Sequence, residues 1–131
     1  MNLIRHSNPP ALSKPTGYTH VVEVNRGRTV YLAGQVAFDA SGALVGKDDF
    51  TAQTRQVMEN LKAALASVGA TFDNVVKVNT YVTDMSQIQA LREMRASYFG
   101  ANPPASTLVQ VVALARPDLL IEIEAIAVIP E

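Results

Sequence analysis

Two carboxylates stand inside an otherwise apolar run, Leu119-Leu120-Ile121-Glu122-Ile123-Glu124-Ala125-Ile126. They lie two residues apart, so in a strand Glu122 and Glu124 share one face, with Leu120 and Ile126 as same-face neighbours. Apolar flanks desolvate a carboxylate and make it the kind of proton carrier that general acid–base chemistry needs. The plainer reading is a pair of rim or ion-pair residues, because strand carboxylates are commonly structural. Two cations show the complementary oddity. With about 100° between successive residues, Arg92 and Arg95 fall on the stripe set by Ile88, Leu91, Tyr98 and Phe99. A long Arg can lay its stem on apolar neighbours and keep its head in water. The other reading is an anion partner, either Glu122 or Glu124 or the acid group of a ligand. Tyr18, after Pro15-Thr16-Gly17, and Tyr98 are candidates for lining a pocket, although simple packing also explains each.

Other chemistries are removed by what the chain lacks. With zero cysteines there is no disulfide, thiolate nucleophile, iron–sulfur cluster or Cys-ligated zinc. His6 and His20 stand in no paired ligand motif, so no metal is expected. No G-x-S-x-G elbow, G-x-G-x-x-G loop or Walker motif occurs, and no cofactor is expected. Eleven Lys and Arg against twelve Asp and Glu give a formal charge of −1 with no basic run, which argues against nucleic acid as a partner. The polar start, broken by Pro9-Pro10, lacks the apolar segment of a signal peptide. No apolar run approaches the roughly 20 residues that cross a bilayer, so a cytoplasmic protein without membrane contact is expected.

The elements that must position these side chains read as one domain over residues 1–131. Two β-rich runs, Thr19–Val24 and Thr29–Gly34, flank Asn25-Arg26-Gly27-Arg28 and predict a hairpin. Phe50, Thr54, Val57, Met58, Leu61, Leu65 and Val68 recur at helical spacing, with Asp48 or Asp49 as the cap and Gly69 at the end. Asn74–Thr83 reads as a strand with Val76, Val78, Thr80 and Val82 on one side. A second helix is predicted from Ser86, where Ser86 and Gln89 form a capping-box pattern, to Gly100. Strands at Thr107–Ala113 and Leu119–Ile129 complete an α+β order of β-β-α-β-α-β-β, with two helices on one face of a mixed sheet. The last strand is apolar on both faces and only 18% of residues are charged, so the uncovered sheet face predicts a homo-oligomer.

Pro103-Pro104-Ala105-Ser106-Thr107-Leu108-Val109-Gln110-Val111, followed by Ile121-Glu122-Ile123-Glu124-Ala125-Ile126-Ala127, closely resembles the signature of the Rid family, the YjgF-like reactive intermediate deaminases also called endoribonuclease L-PSP proteins. Gly17-Tyr18, Ala33-Gly34-Gln35-Val36, Gln53, Asn60-Leu61 and Val76-Lys77-Val78-Asn79-Thr80-Tyr81-Val82 extend the likeness over nearly the whole chain. The resemblance implies a chorismate mutase-like domain in a homotrimer, its sheets forming a central barrel with three clefts between subunits. It further implies cofactor-free hydrolysis of enamines or imines such as 2-aminoacrylate to carbonyl compounds and ammonia.

By resemblance Glu124 is the catalytic carboxylate, and Tyr18, Ala33, Gly34, Arg92, Ser106 and Leu108 are substrate-binding positions. Ser106 stands where deaminating members carry an Arg that clamps the substrate carboxylate, and Ala33 and Leu108 make the pocket more apolar than theirs. A serine offers one hydrogen bond in place of a charged fork, so weak handling of ordinary 2-imino acids is expected. Two functions therefore stand side by side: hydrolysis of a small enamine or imine metabolite, and a non-catalytic trimeric ligand-binding or chaperone-like module.

Overall fold

A computed structural model describes residues 3–131. Its elements run β1 (Ile4–Ser7), β2 (Val21–Val24), β3 (Arg28–Gln35), α1 (Phe50–Ala66), β4 (Val75–Val82), α2 (Ile88–Phe99), β5 (Ala105–Gln110) and β6 (Ile121–Ile129). The expected α+β order is present, preceded by the additional strand β1. The main sheet has the order β3-β6-β4-β5, with β4 and β5 parallel and the other pairs antiparallel.

The predicted hairpin does not form. Strand β2 pairs with β1, Ile4 opposite Val24, in a separate two-stranded ribbon, while β3 joins β6. Gly27, at φ 117°, explains the change of direction: a Cβ there would lie 2.7 Å from both the Ile129 carbonyl and a Val128 methyl. The turn is thus pressed onto the end of β6 rather than closing over β2. Alternating residues announce a strand but do not name its partner.

Helix α1 starts at Asp49, whose Oδ1 accepts from the Ala52 amide at 3.0 Å, while its neighbour Asp48 turns the chain at φ 57°. Its apolar stripe of Phe50, Val57, Met58, Leu61 and Leu65 is buried against β3 and β6. Gln53 lies in the same interior. Its Nε2 donates to the carbonyls of Gly46 and Asp118, and its Oε1 accepts from the Leu120 amide, so α1 is tied to the turn that starts β6. The Ser86–Gln89 capping box is absent. Asp84 accepts from the Ser86 amide and starts a short 3-10 turn, Met85–Gln87, and Gln89 instead donates to Glu93 on the next turn of α2.

Both helices cover one face of the sheet, where Val78, Val82, Ile121, Ile123, Ala125 and Ala127 are buried. The alternate residues Lys77, Asn79, Tyr81, Glu122, Glu124 and Ile126 form the opposite face, which no helix or strand among the described residues covers. Tyr31 on that face is 78% exposed. Among the described residues no helix is long and apolar enough to cross a membrane.

Candidate functional site

The open sheet face holds Glu124. Asn79 stands directly opposite it on β4, and Tyr81 is one diagonal step further along. Both donate to Glu124 Oε1, Tyr81 Oη at 2.7 Å and Asn79 Nδ2 at 3.1 Å. Oε2 is left without a hydrogen-bond partner among the described residues. The bond to Glu124 holds the Tyr81 hydroxyl proton above the ordinary tyrosine value, and desolvation and the charges of Glu124 and Glu122 act in the same direction. Tyr31, Ala33, Lys77 and Ile126 line the shallow hollow around this carboxylate. Gly34 belongs to the same neighbourhood: a Cβ there would run into the Glu122 carboxylate, so glycine leaves that side chain its room.

On the other side of the sheet, a cavity of about 250 Å³ opens between α2 and β5. Tyr18, Arg92, Ser106 and Leu108 line it, together with Arg95. Tyr18 is brought there by its neighbour. Thr19 donates from its amide to the Pro104 carbonyl and from its hydroxyl to the Pro103 carbonyl, which straps the Gly17–Thr19 segment to the start of β5. The Tyr18 ring meets His20 edge to face at 5.1 Å. Arg92 lies exposed at the rim and Ser106 and Leu108 are half-buried.

Arg95, whose burial the sequence left open, is 9% exposed. Its Nε and Nη2 are shielded from solvent and have no hydrogen-bond partner among the described residues, and Cζ lies 5.7 Å from the centroid of the Phe99 ring. Burial pulls its guanidinium below the ordinary arginine value.

The residues singled out from sequence therefore separate into two groups. Val78 pairs with both Ser106 and Ala125, whereas Asn79 pairs with both Thr107 and Glu124. Neighbours in register share a face, so Ser106 and Leu108 point toward the helices while Glu124 and Ala33 point away from them. Tyr98 joins neither group. Its hydroxyl donates to Glu59 of α1 at 2.7 Å, and burial together with this bond pushes its ionisation up to about 12.

The partners of Glu124 were not among the sequence candidates. Their signal lay in Val76-Lys77-Val78-Asn79-Thr80-Tyr81-Val82, where Asn79 and Tyr81 alternate with the apolar positions and so must face the same way as any polar residue opposite them.

Residues 9–129 match the family model described as Endoribonuclease L-PSP. A RutC family protein of Pyrococcus horikoshii is 41% identical over 115 residues, covering 87% of this chain and 89% of that protein. The 2-iminobutanoate/2-iminopropanoate deaminase of Mus musculus is 35% identical over 126 residues, 96% of this chain and 90% of that protein. Among solved structures, the Rid family protein YyfB of Yersinia pestis superposes with a TM-score of 0.91 at 44% identity, covering 98% of this chain and 100% of that one. With the paired β4 and β5, the two helices on one sheet face and the Glu122–Glu124 strand all in place, the chain belongs to the Endoribonuclease L-PSP family, the Rid or YjgF-like proteins.

Proposed function

We propose that the protein is a homotrimer that hydrolyses a small enamine or imine, in clefts where the open sheet face of one copy meets the α2–β5 cavity of the next. The observation that carries this reading is the opposite facing of Glu124 and Ser106 within one chain. A carboxylate and a binding cavity on two sides of one sheet can act on one molecule only when a second copy brings them together. The exposed Tyr31 and the half-buried Ile126 on the uncovered face support such contact.

The chemistry suits this arrangement. An imine carbon is already electrophilic, so a held substrate, a placed water and one proton shuttle suffice. Glu124 Oε2 takes a proton from water as its oxygen adds to the carbon. The same carboxyl returns that proton to the imine nitrogen, which completes the carbinolamine. It then carries the carbinolamine hydroxyl proton to the amino nitrogen as the C=O bond forms and the C–N bond breaks, so that a carbonyl compound and ammonia leave. Tyr81 and Asn79 hold Oε1, which fixes the carboxylate plane and directs Oε2 toward the water. The mouse relative is named for 2-imino acids, which makes these the first substrates to try.

Freshly generated 2-iminobutanoate, followed by the appearance of 2-oxobutanoate, tests the reading. Turnover above the spontaneous rate, abolished in Glu124→Gln, supports it, as does a solution mass of three times 14.1 kDa. Turnover unchanged in Glu124→Gln removes the catalytic role. Ser106, in the place of a charged clamp, favours a second reading, a trimeric module that binds a metabolite without converting it. Saturable binding with no product formation across a panel of imines selects it.

A further inference from the structure

We infer that Arg95 is the anion-binding group of the α2–β5 cavity, and that the cavity takes a small carboxylate with a short apolar tail. A guanidinium that has left water without gaining a carboxylate is a costly thing for a fold to keep. Arg95 is in that state: it is 91% buried, its Nε and Nη2 have no hydrogen-bond partner among the described residues, and its side chain lines the cavity. Among the described residues no Asp or Glu lines the cavity, so the missing acceptor has to come from outside the chain.

The surroundings define its class. An Arg remains protonated at neutral pH even when desolvated, and its planar fork matches the two oxygens of a carboxylate. The Ser106 hydroxyl, on the opposite wall, offers a further donor, and Arg92 adds positive charge at the rim. Leu91, Phe99, Leu108 and Pro103 make the rest of the lining apolar. At about 250 Å³ the space lies below the ~300–1,000 Å³ typical of drug-sized ligands, which suits a short aliphatic acid and excludes a nucleotide. The cation that the family resemblance places at position 106 is thus supplied from helix α2. Where the imine reading above holds, Arg95 grips the acid group of the substrate. Binding measured without turnover keeps the two claims separable.

Calorimetric titration of the intact oligomer with butanoate and with butanamide, equal in shape and different in charge, provides the test. The wild type is expected to bind butanoate at least tenfold more tightly. Arg95→Met erases that preference and raises the melting temperature of the ligand-free protein, because an unpaired buried charge is removed. Arg95→Lys keeps part of the preference, a point charge replacing a fork. In the wild type, butanoate should also shift the Arg95 Nε–H resonance seen by NMR, a readout that needs no variant. Equal affinity for acid and amide, or a preference that survives Arg95→Met, overturns the assignment. Dissociation of the oligomer in Arg95→Met, with no acid preference in the wild type, shows instead that the guanidinium serves an interface between copies.

Discussion

Tyr81 reaches diagonally across the β4–β6 pair to donate its hydroxyl to Glu124, while Asn79 holds the same oxygen from directly opposite. The arrangement orients a carboxylate without neutralising it, since both donors are uncharged. Removing the phenol hydroxyl in Tyr81→Phe leaves the ring in place and frees the carboxylate to turn. Imine turnover should fall about tenfold, roughly the ~1.4 kcal/mol of one hydrogen bond, with little change in the urea midpoint. The reciprocal variant, Glu124→Gln, should bring Tyr81 ionisation back toward the ordinary tyrosine range, measured by NMR of ring-labelled tyrosine, because the hydrogen bond and the charge that raise it are weakened or gone.

Gln53 is fully buried and satisfies three backbone groups, two of them in the turn that launches β6. Gln53→Leu fits the space but leaves the Leu120 amide and two carbonyls without their partner. An unsatisfied buried polar group costs ~1–3 kcal/mol, and partial access to water offsets some of this, so a total loss of about 2–3 kcal/mol is expected in urea denaturation. Because β6 carries Glu124, the variant should lose activity before it loses secondary structure.

The Tyr98–Glu59 bond between α2 and α1 predicts how stability depends on alkali. The Tyr98 hydroxyl is pushed up to about 12 in the folded chain from the ordinary tyrosine value of 10.0, so between those values the folded chain holds a proton that the unfolded chain has released. Its contribution is fully present below pH 10 and is lost as pH rises through about 12. Melting temperature should therefore fall over that window more steeply for the wild type than for Tyr98→Phe. The partial exposure of Tyr98 keeps the difference small, and added salt should reduce it further.

The placing of these side chains was only partly legible in the residues. Period-two alternation puts Glu122 and Glu124 on one face of β6, and helical periodicity defines the buried stripe of α1, because these are local consequences of backbone geometry. The same local rule set Arg92 and Arg95 on one stripe of α2 without separating them. Docking of that helix on the sheet does separate them, turning Leu91, Met94, Arg95 and Phe99 inward and leaving Arg92 at the rim.

What the amino-acid order determined by itself is the type of the two helices and of the strands from β2 onward, the face each side chain takes within them, and the absence of thiol chemistry, since these depend on near neighbours and on composition. Which strands pair, and in what register, was decided by tertiary structure: β2 turns to β1, and Val78 aligns with Ser106 while Asn79 aligns with Glu124. The physical reason is that strand partners are chosen by contacts distant in sequence. One step of register exchanges the two faces of a strand, and with them the grouping of every functional side chain.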